Sequence, residues 1–230
     1  MKRTAFLLGI ALFALFIFSN SGTQAVDQSF AERFTAGDKD DKKKDTIDYT
    51  GTYNFDKAHS FIGFKVRHMG LIDVPGFFRD FTGTVIYDAK DVSRSTVEFT
   101  ARATSVDTGV APRDNHLRTK DFFEVEKYPE MTFKSTRVER KGKGGYVLYG
   151  NLTLKGVTKE VSLPFTITGA IKDPWGNTRF GINAQTKMNR RDYGITYGNA
   201  MENGGLDVGN EVTINLQLEA MKPAPKPAGE

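Results

Sequence analysis

Val161-Ser162-Leu163-Pro164-Phe165-Thr166-Ile167-Thr168-Gly169-Ala170-Ile171 is the stretch that decides the fold class. Its bulky apolar residues Val161, Leu163, Phe165, Ile167 and Ile171 fall on odd positions, as does Gly169, with Ser162, Thr166 and Thr168 between them. A period of two puts them on one face of an extended strand, whereas a helix would scatter them around its axis. The alternation resumes beyond the turn Asp173-Pro174-Trp175-Gly176-Asn177 as Phe180, Ile182, Ala184 and Met188, opposed by Arg179, Asn183, Gln185 and Lys187. It recurs as Val212, Ile214, Leu216 and Leu218, and upstream as Val97, Phe99, Ala101 and Ala103 against Glu98, Thr100 and Arg102. Less regular runs cover 61–68, 78–88, 130–139 and 146–155.

Strict alternation gives each strand one buried and one wet face, as in antiparallel sheets. Short links at Gly142-Lys143-Gly144-Gly145 and Lys155-Gly156-Val157-Thr158 fit hairpins. A sheet of about eight long strands with one apolar face removes its edges by closing on itself. The pattern therefore predicts an all-β chain, a single antiparallel eight-stranded barrel over 49–221, with a two-sheet sandwich as the alternative. Phe64, Phe99, Phe165, Ile167, Phe180, Ile182 and Met188 are expected to point inward, because Lys65, Glu98, Arg179 and Lys187 hold the opposite parity on the same strands. A barrel of this size is either filled with side chains or holds one small ligand. The small inward residues Ala101, Ala103, Gly169 and Ala184 fit either case, and pattern alone leaves both open.

One stretch breaks the alternation. Arg113-Asp114-Asn115-His116-Leu117-Arg118 is densely charged and is followed by Phe122, Phe123, Tyr128 and Pro129. Pro112 suits a first helical turn, so a short helical insert is expected over about 112–123. Its aromatics would cap one end of the barrel. Arg113, His116 and Arg118 would then face the mouth, where guanidinium groups suit an oxyanion headgroup.

At the N-terminus Lys2 and Arg3 precede an apolar run from Ala5 to Phe18, and Thr23-Gln24-Ala25 supplies small residues for cleavage. This describes a signal peptide over 1–25. A membrane span needs about 20 apolar residues, and this run breaks at Ser19-Asn20-Ser21. Cleavage near Ala25 removes Lys2 and Arg3 and no acid, lowering the formal net charge of +4 by two. The expected location is the periplasm, or outside the cell where no outer membrane exists. Residues 26–48 read as a mobile charged lead-in whose Lys42-Lys43-Lys44 is cancelled by neighbouring aspartates, and 222–230 as an extended Pro/Ala/Lys tail. No clustered basic face points to nucleic acid. The absence of cysteine excludes disulfides, thiolate nucleophiles and Cys-ligated metals.

Catalytic signals are thin. His59, His68 and His116 show no metal-ligand spacing, and no nucleophile elbow or phosphate loop accompanies Asp114 and His116. A non-catalytic protein is expected, with no catalytic residue and no metal. An enzyme acting on a bound lipid, or a structural or adhesive β-domain with a filled core, are the alternatives.

The motifs together resemble the YceI-like family of periplasmic, polyisoprenoid-binding proteins with a lipocalin-like barrel. The resemblance rests on Asp56-Lys57-Ala58-His59-Ser60-Phe61-Ile62-Gly63-Phe64 with His68, on Gly76-Phe77-Phe78, and on the insert from Arg113 to Phe123. It continues through Tyr128-Pro129 with Phe133-Lys134-Ser135, Gly150-x-Leu152-Thr153-Leu154-x-Gly156-Val157-Thr158, Arg190-x-Asp192-Tyr193-Gly194 and Gly209-x-Glu211-Val212. It implies an elongated barrel holding a long isoprenoid tail, with quinones and fatty amides in the same ligand class. It implies no cofactor beyond such a bound lipid, and a small-molecule lipid as partner with transient contact at a membrane surface.

Overall fold

Segments with one apolar face must hide it, and here they do so by closing into a ring. The computed structural model describes residues 48–202 and 204–224. The expected signal peptide, nearly all of the lead-in and the last six residues of the tail lie outside the described residues. Eleven strands form one sheet: β1 (Gly51–Phe55), β2 (Phe61–His68), β3 (Ile72–Phe78), β4 (Phe81–Tyr87), β5 (Thr96–Arg102), β6 (Val106–Asp107), β7 (Glu130–Lys141), β8 (Gly145–Leu154), β9 (Val157–Lys172), β10 (Thr178–Asn189) and β11 (Val208–Lys222). Strands β1 and β2 both lie on β11, β4 lies on β1, and β3 lies on β2. Likewise β5 follows β4 and β6 follows β3. The first six strands are thus three long staves, each broken once, and the five strands from β7 onward complete eight in an antiparallel meander. Closure comes where Phe55 opposes Ala220 and Phe61 opposes Gln217. The expected eight-stranded antiparallel barrel is present, and the sandwich alternative is not.

The three breaks lie side by side and are stitched together. Arg102 N–H donates to Asp80 O (2.9 Å) and Arg79 N–H to Ser105 O (3.1 Å), while Lys57 Nζ pairs with Asp80 Oδ1 at 2.5 Å. Glycines admit the aromatics of neighbouring strands. Phe64 lies over its cross-strand partner Gly76, where a Cβ would fall inside the ring.

One parity reading needs correction. Ile171 was expected on the inner face, yet it is 60% exposed. Between the pairs Ile182–Ile167 and Phe180–Ala170, β9 spends one residue more than β10. Gly169, at φ +92°, takes up this β-bulge. An extra residue flips every following side chain, so Ala170 rather than Ile171 packs inward.

The end of the barrel holding the 173–177 turn is filled. Tyr53, Val85, Phe180 and Ala220 are buried there, with Tyr53 edge-on to Phe180 at 4.7 Å, and Val92, Val138 and Leu148 pack beside them. Burial pushes the Tyr53 phenol up to about 12, and its hydroxyl donates to Tyr49 O at 2.6 Å. The helical insert sits between β6 and β7 as α1 (Ala111–Arg118), the single α-helix among the described residues. It is shorter than expected, and Phe122 and Phe123 follow it in turns. Two segments cap the α1 end of the barrel: α1 with its turns, and residues 190–197, whose Tyr193 and Ile195 join Phe122 in the main core.

Candidate functional site

Between the filled end and the cap lies a cavity of about 870 Å³. Phe64, Phe99, Phe165, Ile167, Phe180, Ile182 and Met188 all line it, as parity required. Val212, Ile214, Leu216 and Leu218 of β11 line it too, on the parity read from sequence. The barrel is therefore hollow. The pattern left this open, because whether inward residues fill a lumen depends on how the staves splay.

The wall parts in two places, and each has a strand proline beside it. The β9–β10 ladder stops at Phe165–Ala184, next to Pro164, while β9 stays on β8 as far as Val157 and β10 on β11 as far as Asn189. Lys159, Glu160, Thr186 and Lys187, which flank this slit, all border the cavity. Thr186 Oγ1 spans it by donating to Ser162 O at 3.0 Å. The second opening arises because β6 is two residues long. It covers Phe77 and Phe78 and leaves Ile72 to Gly76, with Pro75 among them, without a ladder on that side. Proline has no N–H to offer a second ladder, so a proline inside a strand marks an open edge. Ile72 and Val74 border the cavity on one side of this mouth, and Thr108 and Arg113 on the other.

The polar residues expected at the mouth divide. Arg113 borders the cavity, with Nε donating to Thr108 Oγ1 (2.7 Å) and Nη2 to Thr108 O (2.9 Å). Its neighbour Asp114 is buried and accepts from Thr108 N (2.8 Å) and Oγ1 (2.5 Å), so both grip the chain entering α1. His116 also borders the cavity. Its Nε2 lies 2.9 Å from Asp121 Oδ2, and its ring meets Phe122 and Tyr197 edge-on at 5.1 and 4.8 Å. Arg118 is elsewhere: Nε and Nη2 each donate at 2.8 Å to Thr104 O and Val106 O, and Nη1 to Asn115 Oδ1 at 2.9 Å. Its expected place at the mouth is corrected. Carbonyls of the turn ahead of β6 and of β6 itself, which has a ladder on one side only, claim the guanidinium first.

Asp56, His59 and Glu219 bring three potential metal donors within 4.8 Å of one another. A cation is already there. Arg179 Nη1 contacts Asp56 Oδ2 at 2.6 Å and also Glu219, and its Nε meets Asp173 Oδ2 at 2.7 Å. The His59 hydrogen bond, with Arg179 beside it, holds Asp56 well below the usual carboxylate range, at about 2, and Asp56 raises the His59 pKa in return. This cluster ties the break between β1 and β2 to β10 and β11.

Sequence reasoning missed the second cap segment. Arg190 is 4% exposed and donates to Gly209 O (2.8 Å), Ile195 O (2.9 Å) and Val208 O (2.9 Å), clamping residues 190–195 to the start of β11. Burial lowers its pKa, the cost of holding a guanidinium among carbonyls. Tyr193, Ile195 and Tyr197 complete the lining at this end. The segment has no periodicity, so its only signals were its aromatic content and the Arg190-x-Asp192-Tyr193-Gly194 motif, neither of which says that it closes the barrel.

A UPF0312 protein of Serratia proteamaculans is 44% identical over 146 residues, 63% of this chain and 76% of that one. Among solved structures, the Campylobacter jejuni YCEI protein is 30% identical with a TM-score of 0.59, covering 73% of this chain and 95% of that one. A polyisoprenoid binding domain from Saccharophagus degradans shares the fold at 16% identity and a TM-score of 0.54, covering 75% of this chain and 98% of that one. The sequence profile of the YceI-like domain matches residues 53–220, which takes in the barrel, its cap and both openings; the chain belongs to the YceI-like domain family.

Proposed function

We propose that the protein is an exported, non-catalytic carrier or store of a long apolar lipid, an isoprenoid or a compound of similar shape, held tail-first in the barrel. The observation carrying this reading is the hollow interior, about 870 Å³ and lined chiefly by Phe, Leu, Ile and Val side chains. At about 30 Å³ per water-sized group it has room for roughly 29 heavy atoms. That corresponds to between five and six isoprene units, so a longer chain keeps its remaining units and its headgroup at an opening. The relationship to a polyisoprenoid binding domain supports the same ligand class.

Energetics favour carriage over tight capture. Moving about 29 carbons out of water at about 0.8 kcal/mol per methylene would yield about 23 kcal/mol, beyond the non-covalent ceiling of about 18–21 kcal/mol. The cargo starts in a bilayer that is already apolar, and transfer into a Phe-lined cavity is nearly neutral. Such a site lowers the cost of an aqueous crossing without holding the lipid irreversibly. A non-catalytic role is supported by the commitments of the acid–base candidates: His116 to Asp121, and Asp56 and Glu219 to Arg179. Organic extraction of purified protein followed by mass spectrometry tests the reading. One prenyl or comparable lipid per chain is expected, and protein recovered repeatedly without apolar ligand, and unable to take up a prenol, would overturn it.

A further inference from the structure

We propose that the mouth between β3 and α1 is a membrane-docking edge, which seats its apolar lips in a bilayer surface so that lipid passes into the cavity without meeting water. This rests on the proposed lipid-carrying function and adds where the protein meets the membrane. Leu71 is 74% exposed, Ile72 60%, Met69 46% and Val110 44%. Met69 and Leu71 form the turn joining β2 to β3, Ile72 begins β3, and Val110 directly precedes α1, across the stretch of β3 that has no ladder partner. Ile72 both projects into solvent and borders the cavity, so an apolar side chain links the tip to the lumen.

Arg67 donates to Leu71 O at 3.2 Å, Arg113 stands across the mouth, and both suit lipid phosphates. Asp73 moderates this charge by pairing with Lys65 and Arg67 at 3.0 and 3.1 Å. Attachment therefore relies on apolar insertion more than on anionic lipid. The other opening has Lys159, Glu160 and Lys187 beside it, which a bilayer would have to desolvate. The remaining exposed apolar side chains, Ile86, Ile171 and Trp175, lie towards the filled end, away from either opening.

A local probe tests this independently of cargo and of the N-terminal residues. Vesicles of phosphatidylcholine and phosphatidylglycerol with brominated acyl chains quench an indole that enters them. In a Leu71→Trp, Trp175→Phe variant the single indole reports the tip, and in the unaltered protein Trp175, the one tryptophan of the chain, reports the opposite end. Quenching at the tip at least several times stronger than at Trp175 is expected. Equal quenching, quenching of Trp175 alone, or none at the tip would overturn the docking edge. A Met69→Asp, Leu71→Asp variant, which leaves the cavity lining untouched, should transfer a prenol between vesicles at least tenfold more slowly while taking up the same amount from detergent, since burying each side chain is worth about a factor of ten. Unchanged transfer would also overturn it. Loss of uptake from detergent by the unaltered protein would instead count against the lipid-binding reading and leave the quenching result standing.

Discussion

Ala184→Phe measures directly whether the cavity is where lipid resides. Ala184 is 6% exposed, borders the cavity, and sits between Phe165 on β9 and Leu216 on β11. The substitution adds six ring carbons aimed into the lumen. At about 30 Å³ each they occupy about 180 Å³, a fifth of the 870 Å³ present and slightly more than one isoprene unit. Because the ring fills vacant space rather than a packed core, stability should change by less than the roughly 1–3 kcal/mol that overpacking costs. Extraction and mass spectrometry should show either severalfold lower occupancy or a retained chain shortened by one or two units, with the melting temperature nearly unchanged. The same lipid at the same stoichiometry in a folded variant would refute a luminal site. A large loss of stability would instead show that the lumen is already filled.

Acid should loosen the break between β1 and β2 through Asp56. Its folded pKa of about 2 lies below its ordinary 3.8, a difference worth about 2 kcal/mol. That stability is present above pH 3.8 and is lost as pH falls towards 2, so Asp56→Asn should flatten the acid-unfolding curve in this window; an unaltered slope would remove the pair from the account. Arg113→Ala, which removes a guanidinium only from Thr108 O and Oγ1, should weaken an anionic prenyl phosphate roughly tenfold more than the neutral alcohol. Equal loss for both ligands in a competition assay would make Arg113 a structural tie. Arg118→Ala should weaken both lipids alike and cost about 1–3 kcal/mol in urea unfolding, since Thr104 O and Val106 O lose their donors. Gly76→Ala drives a Cβ into the Phe64 ring and should cost about 1–3 kcal/mol; a thermal melt indistinguishable from the parent would show that Phe64 has room to move.

Much of this molecule could be read from local pattern. A side-chain period of two settles which face of each strand is apolar, and it placed all seven cavity residues on the lumen, with Lys65, Glu98 and Arg179 away from it and Lys187 alone of the four charged neighbours bordering it beside the slit. Aromatic residues after a proline-led charged segment announced a cap, and α1 with Phe122 and Phe123 supplies it. What local pattern lacked was count and partnership. The single extra residue at Gly169 turned Ile171 outward, and no alternation reveals where a strand will bulge. Arg113 and Arg118 look alike in sequence. One meets the lumen and the other is held by the carbonyls of Thr104, in the turn before β6, and of Val106, on β6, which has a ladder on one side only. Pro75 and Pro164 did carry a signal for the openings, since neither can serve two ladders, but only the assembled sheet shows which neighbour each strand goes without. Sequence by itself determined a β chain with one wet and one greasy face. Tertiary structure alone decided that the greasy faces enclose space instead of filling it, because the room left inside a ring depends on how far its staves stand apart, and no residue encodes that distance singly.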